Sequence, residues 1–153
     1  MNFAVYSDKT SYQWDDSNLY GELYVKLDGC VFPGDKWADM VCDVLIMWGQ
    51  NLLSLLESNL TGEEEFFFLE KPFSFTVAAR GANLALITLY DDSKPLDNKN
   101  YEAPFFTVLY AISSLIGEIS SDQRLQNVQQ VKRLKNLSVR LKKSGEELGY
   151  HME

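Results

Sequence analysis

Two kinds of apolar periodicity, one typical of a helix and one typical of strands, most constrain how this chain can fold. One stripe of apolar residues recurs at intervals of three and four, which is the spacing of one face of an α-helix. The stripe comprises Trp37, Val41, Val44, Trp48, Leu52 and Leu55 or Leu56. On either side of it, residues 19–27 and 73–77 alternate apolar with polar side chains, as half-buried β-strands do. The chain must therefore combine strands with at least one amphipathic helix.

The strand-like segments are short and are separated by turn-forming residues. They are predicted at residues 2–6, 19–27, 30–32, 66–69, 73–77 and 84–90. Short connections such as Asp28-Gly29 and Arg80–Asn83 favour antiparallel neighbours. The segment at 84–90 is apolar enough to occupy a central position. We expect an antiparallel sheet of four to five strands.

The apolar stripe predicts a first helix at residues 36–58. Asp35 is the expected N-cap, because a side-chain oxygen there can accept an orphan backbone N–H. Asp39 falls on the polar side of this helix and is expected to face solvent. Trp37 and Trp48 share the apolar stripe, so both are expected to face the core.

Two further helices are expected near the C-terminus. The second is predicted at residues 101–120. The third is predicted at 121–144, where Ser120–Gln123 fits a capping box and Gly145 suits the C-terminal end. The last residues, 146–153, are expected to form a flexible tail.

The composition agrees with one folded domain. Of the 153 residues, 46% are hydrophobic and 13% aromatic, which is enough for a sizeable core and too much for a disordered chain. No internal repeat and no linker divides the sequence. The prediction is a single α+β domain over residues 1–153, with three helices packed on an antiparallel sheet.

The charge is strongly asymmetric along the chain. The formal net charge is −8. Residues 1–70 carry 13 acidic and 3 basic side chains, residues 71–120 carry 5 and 4, and residues 121–153 carry 4 and 7. An acidic surface repels nucleic acid phosphates and speeds the encounter with basic proteins. We therefore expect a protein partner and no nucleic acid; solubility alone is the alternative explanation of the charge.

The remaining global features favour a cytoplasmic protein. The N-terminal residues MNFAVYSDKT have no basic segment followed by an apolar one, so no signal peptide is predicted. The most apolar run, Ala103–Gly117, is too short to span a bilayer, so no membrane association is expected. Cys30 and Cys42 are expected to be free thiols, because the cytosol keeps thiols reduced.

The sequence offers little for catalysis. The single histidine, His151, lies in the predicted tail, far in sequence from Cys30 and Cys42. Nucleophilic catalysis needs a nucleophile with a base beside it, and no such pair is evident. No zinc-ligand spacing and no phosphate-binding glycine motif occurs. We expect no enzyme activity, no cofactor and no metal site.

Three acidic groups are candidate partner-binding residues. Asp15-Asp16 and Asp91-Asp92 lie in predicted loops, and Glu63-Glu64-Glu65 precedes an aromatic run. Tyr12 and Trp14, close to the first pair, are candidate aromatic anchors. For the two aspartate pairs the alternatives are solvated turns or an oxygen-ligand Ca²⁺ or Mg²⁺ site, of which solvated turns are expected. For the glutamates the alternative is protection of an apolar strand from misassociation. The basic side chains of the third helix are interpreted as an ordinary solvated face.

One stretch carries a likeness to a known class of proteins. It consists of Gly21-Glu22-Leu23-Tyr24-Val25, Asp28-Gly29, Phe32-Pro33, Trp37, Asp39 and Trp48. Over about residues 20–90 the chain resembles small immunity proteins of bacterial contact-dependent and polymorphic toxin systems. The resemblance implies a cytoplasmic protein that binds one cognate toxin domain and blocks its active site. Many such toxins are basic nucleases, which an acidic inhibitor would complement.

Three functional hypotheses follow from the sequence. The first is an inhibitor that binds and neutralises a basic toxin domain. The second is an adaptor or structural subunit whose acidic face serves an assembly. The third, an enzyme of unfamiliar type, has the least support because no nucleophile–base pair is evident.

Overall fold

The computed structural model describes residues 3–152, apart from the side chains of residues 97 and 98. The strands are β1 (Phe3–Tyr6), β2 (Gln13–Trp14), β3 (Leu19–Glu22), β4 (Tyr24–Leu27), β5 (Cys30–Phe32), β6 (Ala38–Met40), β7 (Glu63–Phe67), β8 (Phe73–Ala79), β9 (Ala85–Asp91) and β10 (Lys94–Ala103). The helices are α1 (Val41–Glu57), α2 (Phe105–Ser120) and α3 (Gln130–Glu147). The predicted α+β class with three helices is confirmed. The strand pairs within the described residues are antiparallel, as predicted.

The strands are distributed over three sheets instead of one. Their orders are β1-β4-β5, β2-β3-β6 and β10-β9-β8-β7. The segment predicted as one strand, residues 19–27, is divided at Leu23 into β3 and β4, which belong to different sheets. Leu23 is fully buried and donates its backbone N–H to the carbonyl of Trp37 at 2.8 Å. The chain therefore changes sheets at this residue without leaving a backbone donor unpaired.

The core forms against one face of the four-stranded sheet. Trp48 of α1 packs edge-on against Phe68 and Phe75, with ring centres 5.2 Å apart in both pairs. The β1-β4-β5 sheet contacts the same two rings: Phe3 of β1 lies 5.9 Å from Phe75, and Phe32 of β5 lies 5.9 Å from Phe68. Helix α1 and the β1-β4-β5 sheet thus share one aromatic layer, which leaves the opposite face of the four-stranded sheet outside this core.

Helix α1 also meets the other two helices, at Gly49. A Cβ atom there would lie 3.1 Å from Cδ1 of Leu137 in α3 and 3.3 Å from Cδ1 of Ile116 in α2. These separations are tighter than ordinary van der Waals contact. A glycine at this point therefore allows all three helices to approach one another closely.

The start of α1 differs from the prediction, which placed it at residues 36–58 with Asp35 as N-cap. Residues 38–40 form β6 instead, and the helix starts at Val41. Trp48 is fully buried, as predicted. Trp37 precedes the helix, is half-buried and packs edge-on against Phe73 at 5.4 Å. Strand pairing of β6 with β3 is the tertiary interaction that overrides the helical periodicity here.

Asp39 is the clearest departure from the sequence-based interpretation, which placed it on a solvent-exposed helix face. It lies in β6 and is fully buried. Its carboxylate accepts hydrogen bonds from Trp37 Nε1, at 3.1 Å, and from the backbone N–H groups of Met40, Leu69 and Glu70, at 2.7, 3.0 and 3.3 Å. Asp39 thereby ties the start of α1 to the chain that follows β7.

Helix α1 also covers the outer edge of β7. Asn51 Nδ2 donates to the carbonyl of Glu65 at 2.8 Å, and Trp48 Nε1 donates to the carbonyl of Phe67 at 2.9 Å. These carbonyls point away from β8, because the residues between and beyond them make the β7–β8 hydrogen bonds. Since open strand edges invite pairing with other chains, the two side chains protect this edge.

The predicted loop at residues 91–100 is a hairpin. Strand β9 ends at Asp91, and β10 starts at Lys94 after a two-residue turn in which Asp92 and Ser93 both have positive φ. Strand β10 has a register shift between Pro95 and Asn100. An edge strand tolerates proline, polar residues and such irregularity, so its composition resembles that of a loop. Helix α2 consequently starts at Phe105 and not at residue 101.

Helix α3 starts at Gln130, nine positions after the predicted start at Ser121. The intervening segment contains a 3-10 turn, Gln123–Leu125, whose N-cap is Asp122. Leu125 and Val128 are nonetheless buried, as their place in the apolar stripe predicts. The spacing of apolar residues correctly predicted burial here, but a turn can bury the same positions as a helix does.

The C-terminal residues pack back onto the helices, whereas 146–153 was expected to be a free tail. Helix α3 continues through Gly145 to Glu147. The backbone N–H of Tyr150 donates to the carbonyl of Gly145 at 3.0 Å, and the Tyr150 ring lies 5.2 Å from that of Phe106. Met152 is buried beside Gly145. These apolar contacts hold residues 148–152 against α2 and α3.

Candidate partner-binding surfaces

The structure separates the two predicted aromatic anchors. Tyr12 is buried, its hydroxyl shares a 2.6 Å hydrogen bond with Ser7 Oγ, and its ring lies against Gly21. Burial raises the pKa of Tyr12. Trp14 is 43% exposed, and the guanidinium carbon of Arg124 lies 5.8 Å from its ring centre. Tyr12 is therefore a core residue and cannot act as a surface anchor, whereas Trp14 remains accessible.

Asp15 and Asp16 are both exposed, but Asp15 has a local structural role. Its Oδ1 accepts the backbone N–H of Ser17 at 2.9 Å, the Ser17 hydroxyl at 3.0 Å and the backbone N–H of Asn18 at 2.9 Å. These hydrogen bonds, the Ser17 backbone bond first, lower the pKa of the Asp15 carboxyl. Such self-contained bonding is typical of an Asx turn. The backbone carbonyl of Asp16 accepts the N–H of Gln129 at 3.0 Å.

Asp91 and Asp92 are exposed at the β9–β10 turn. The backbone N–H of Asp92 donates to the carbonyl of Pro72 at 2.8 Å, which ties this turn to the β7–β8 connection. Asp91 lies across from Phe73 on one side and from Lys94 on the other. Both carboxylates are thus accessible to solvent.

Two of the predicted acidic groups, Glu63–Glu65 and Asp91-Asp92, do not combine into one surface. Glu63 of β7 pairs with Ala78 of β8, and Asp91 of β9 pairs with Phe73 of the same strand β8. Glu63 and Asp91 are therefore five residues apart along the strands and two strands apart across the sheet. This corresponds to about 16 Å in one direction and about 10 Å in the other. The two groups lie toward opposite ends of the four-stranded sheet.

A different acidic surface is formed by the face of this sheet that points away from the core, called the open face below. Its residues follow from the strand register, because directly paired residues project to the same side. The first row is Glu63, Ala78, Leu86 and Glu102; the second is Glu65, Thr76, Thr88 and Asn100; the third is Phe67, Ser74, Tyr90 and Pro95.

The open face is acidic and partly aromatic. Glu63 and Glu102 are exposed at its two edges, and Glu65 Oε2 accepts the Ser74 hydroxyl at 2.5 Å. Phe67 is 45% exposed and Tyr90 is half-buried. None of these twelve residues is a lysine or an arginine. The face therefore combines three carboxylates with two aromatic side chains on a rigid support.

The sequence predicts only part of this surface. Glu63 and Glu65 were among the predicted residues, whereas Glu102, Phe67 and Tyr90 were not. The sequence predicts a helix over residues 101–120 and a loop before it, whereas the structure places Glu102 in β10. The alternation of polar Asn100 and Glu102 with apolar neighbours is the signal that would have indicated a strand.

The two cysteines are free thiols, as predicted, and lie in different environments. Cys30 is half-buried in β5, whereas Cys42 is fully buried in the first turn of α1. Burial, with a smaller contribution from Asp43, raises the pKa of the Cys42 thiol to about 12. Only the thiolate reacts with alkylating agents, so Cys42 should be unreactive near neutral pH.

We predict that iodoacetamide at pH 7.5 will label Cys30 in the native protein and leave Cys42 unlabelled. Two labels should appear once the protein is denatured. Peptide mapping by mass spectrometry after timed quenching measures both sites, and Cys30 in the same molecule is the internal control. Equal labelling rates for the two thiols in the native protein would contradict the buried placement of Cys42.

The described part of the chain has neither a metal-binding cluster nor a membrane-spanning helix. Among the side chains of residues 3–96 and 99–152, no group of three or more His, Cys, Asp or Glu is placed to hold a metal ion. Over the same residues, no helix has the length and apolar character needed to cross a bilayer. Compared with known proteins, the chain matches no family model, no curated protein and no solved structure.

Proposed function

We propose that this chain is an inhibitor of the immunity type, which binds a basic partner protein through the open face of the four-stranded sheet and neutralises it. The observation that carries the proposal is the composition of that face: three carboxylates, two aromatic side chains and no basic residue among twelve. Aromatic side chains supply contact area, and surrounding carboxylates select a cationic partner.

The geometry of the open face suits a protein partner. Glu63 and Glu102 stand at opposite ends of one row, three strand spacings or about 14 Å apart. Two cationic side chains of a partner can pair with them, while Phe67 and Tyr90, four residues or about 13 Å further along the strands, make apolar contacts. The carboxylates are carried by paired strands, so little backbone ordering is required on binding.

A nuclease toxin domain is the partner class that this surface fits best. A nuclease cleft must be positively charged to hold phosphates, so an acidic protein that occupies the cleft excludes the substrate. The net charge of −8 adds long-range attraction to such a partner. Inhibition in the cytoplasm by occupation of the cleft requires no chemistry from this chain. The proposed inhibitor is therefore a non-catalytic protein.

The double substitution Glu63→Lys with Glu102→Lys should slow association with the partner by about tenfold or more, since electrostatic steering contributes at least that much to acidic–basic pairs. The matched control is Asp91→Lys with Asp92→Lys, which makes the same charge change outside the open face and should change the rate by about threefold or less. The partner is first captured by co-expression with the neighbouring reading frame, and association is then followed by stopped-flow fluorescence at low and high salt.

Equal slowing in both double variants would show that net charge alone matters and that the open face is not the binding surface. A rate independent of salt would contradict the electrostatic contribution. Failure of any protein to co-purify would remove the inhibitor proposal. A complex that leaves the partner's activity intact would instead indicate the adaptor function.

A further inference from the structure

A second surface, of opposite charge, lies between α2 and α3. Two adjoining cavities of about 600 and 490 Å³ open there and share Ser121 and Ser138. Their lining is dominated by small and hydroxylated side chains: Ser113, Ser114, Gly117, Ser120, Ser121 and Ser138. Small side chains let another backbone approach closely, and the hydroxyls can hydrogen-bond to it. This region is called the serine groove below.

The borders of the serine groove are basic. Lys142 lines the larger cavity and Lys135 the smaller one, whereas Glu118 is the acidic residue in the lining. Lys132 and Lys143 are exposed one turn away on the same side of α3. None of these four lysines has a carboxylate within 4.0 Å in the described structure, because the ion pair of α3 joins Arg140 to Glu57 on the side that faces α1. The positive charge beside the groove therefore remains largely uncompensated.

Apolar side chains are exposed beside the same groove. Val139 is 69% exposed and lines the smaller cavity, and Tyr110 is 42% exposed and lines the larger one. Buried Met152 contributes to the lining of the larger cavity. A partner that covers this valine and tyrosine would remove their apolar surface from water, which favours binding. The surface thus offers apolar contact and positive charge together.

We infer that the serine groove binds an acidic amphipathic peptide segment of a partner protein. Carboxylates of that segment pair with Lys135 and Lys142, and its apolar side chains cover Val139 and Tyr110. The segment's backbone lies over the small residues of α2, where Ser114 and Gly117 leave room. Charge complementarity with α3 selects an acidic segment, and the exposed apolar side chains select an amphipathic one.

A protein segment fits this surface better than nucleic acid does. The net charge of −8 opposes the approach of a polyphosphate. The basic residues that line the groove itself are lysines, which lack the planar fork that arginine offers to phosphates. Apolar Val139 and Met152 would contact a charged backbone unfavourably. The inference is also independent of the proposed function, because the groove and the open face are built from different elements.

The random copolymer of glutamate and tyrosine is a suitable probe, because it supplies carboxylates and aromatic side chains without a chosen sequence. In ¹H–¹⁵N correlation spectra it should shift the amides of α2 and α3 that line the groove, with Gly117 and Ser138 among them. Lys135→Glu with Lys142→Glu should weaken its affinity about tenfold or more, as expected for the loss and reversal of two charge pairs. The matched control Lys71→Glu with Lys94→Glu, on exposed lysines of the hairpin turns, should change it about twofold or less.

Two further measurements make the inference falsifiable. Val139→Glu should lower the affinity for the copolymer about threefold or more, because it adds a repulsive charge to the groove. It should not lower Tm, because Val139 is exposed. The open-face variant Glu63→Lys with Glu102→Lys should bind the copolymer at least as well as the unaltered chain, so failure here is distinguishable from failure of the proposed function. The inference would be overturned if the control variant lost as much affinity for the copolymer, or if the amide shifts were confined to other elements. Equally tight binding of polyglutamate, polythymidylate or phosphatidylserine vesicles would also overturn it.

Discussion

Replacing Asp39 by alanine should lower the free energy of unfolding by about 3–5 kcal/mol, as expected when a buried, multiply hydrogen-bonded charge is removed. The carboxylate is fully buried and accepts four hydrogen bonds, three of them from backbone N–H groups. Alanine would leave these donors unpaired in the interior. Two of them belong to the chain after β7, so the connection between α1 and the four-stranded sheet would weaken as well.

A graded series tests this explanation. Asp39→Asn keeps one of the two acceptor positions: with its oxygen toward Met40 it loses the three bonds to Oδ2, and with its oxygen in the Oδ2 position it loses only the bond from Met40. The decrease in the free energy of unfolding of this variant should lie between zero and the decrease of the alanine variant. Asp35→Ala is the control, because Asp35 is exposed and should change stability by less than about 0.5 kcal/mol. Urea denaturation followed by far-UV circular dichroism gives the three values; a loss below about 1 kcal/mol for Asp39→Ala would contradict the structural role.

Replacing Trp48 should have an effect of similar size and a second consequence. Trp48→Ala should lower the free energy of unfolding by about 3–5 kcal/mol, because the indole fills the core between α1 and the sheet. Trp48→Phe keeps an aromatic ring but removes the donor to the Phe67 carbonyl, and should lose about 1–3 kcal/mol. Either change also uncovers part of the β7 edge.

The uncovered edge gives Trp48 a readout beyond stability. Trp48→Phe combined with Asn51→Ala removes both donors that cover β7, so the double variant should self-associate at concentrations where the unaltered protein does not. Urea denaturation measures the first effect, and sedimentation velocity over a concentration series measures the second. Trp14→Phe is the control, since Trp14 is at the surface and should change neither. A double variant that loses stability but shows no concentration dependence would contradict edge protection by α1.

Local patterns in the sequence determined the α+β class, the antiparallel pairing and most element positions. Helix α1 lies within the predicted residues 36–58, with Trp48 in the core, because a stripe of this length can be buried only on one helical face. Strands β8 and β9 contain the predicted segments 73–77 and 84–90 almost completely. In these segments propensity, periodicity and turn residues all favour the same structure, so local information was sufficient.

The sequence also determined where negative charge lies along the chain, though not which carboxylates share a surface. Asp15, Asp16, Asp91 and Asp92 are exposed, as expected of polar turns. Strand register, however, separates Glu63 from Asp91 and brings Glu63 into a row with Glu102. Register depends on pairing between residues distant in sequence, and no local pattern specifies it. The open face could therefore be recognised only in the folded chain.

Tertiary structure alone decided the environment of Asp39, Tyr12 and β10. Asp39 is buried because Leu69 and Glu70, thirty residues later, supply the donors that compensate its burial. Tyr12 is buried because Gly21 leaves space for its ring. Strand β10 forms because β9 provides a partner for a segment whose own composition resembles a loop. In each case the deciding interaction comes from an element that the local sequence does not contain, and for this reason periodicity correctly predicted the elements but not their environments.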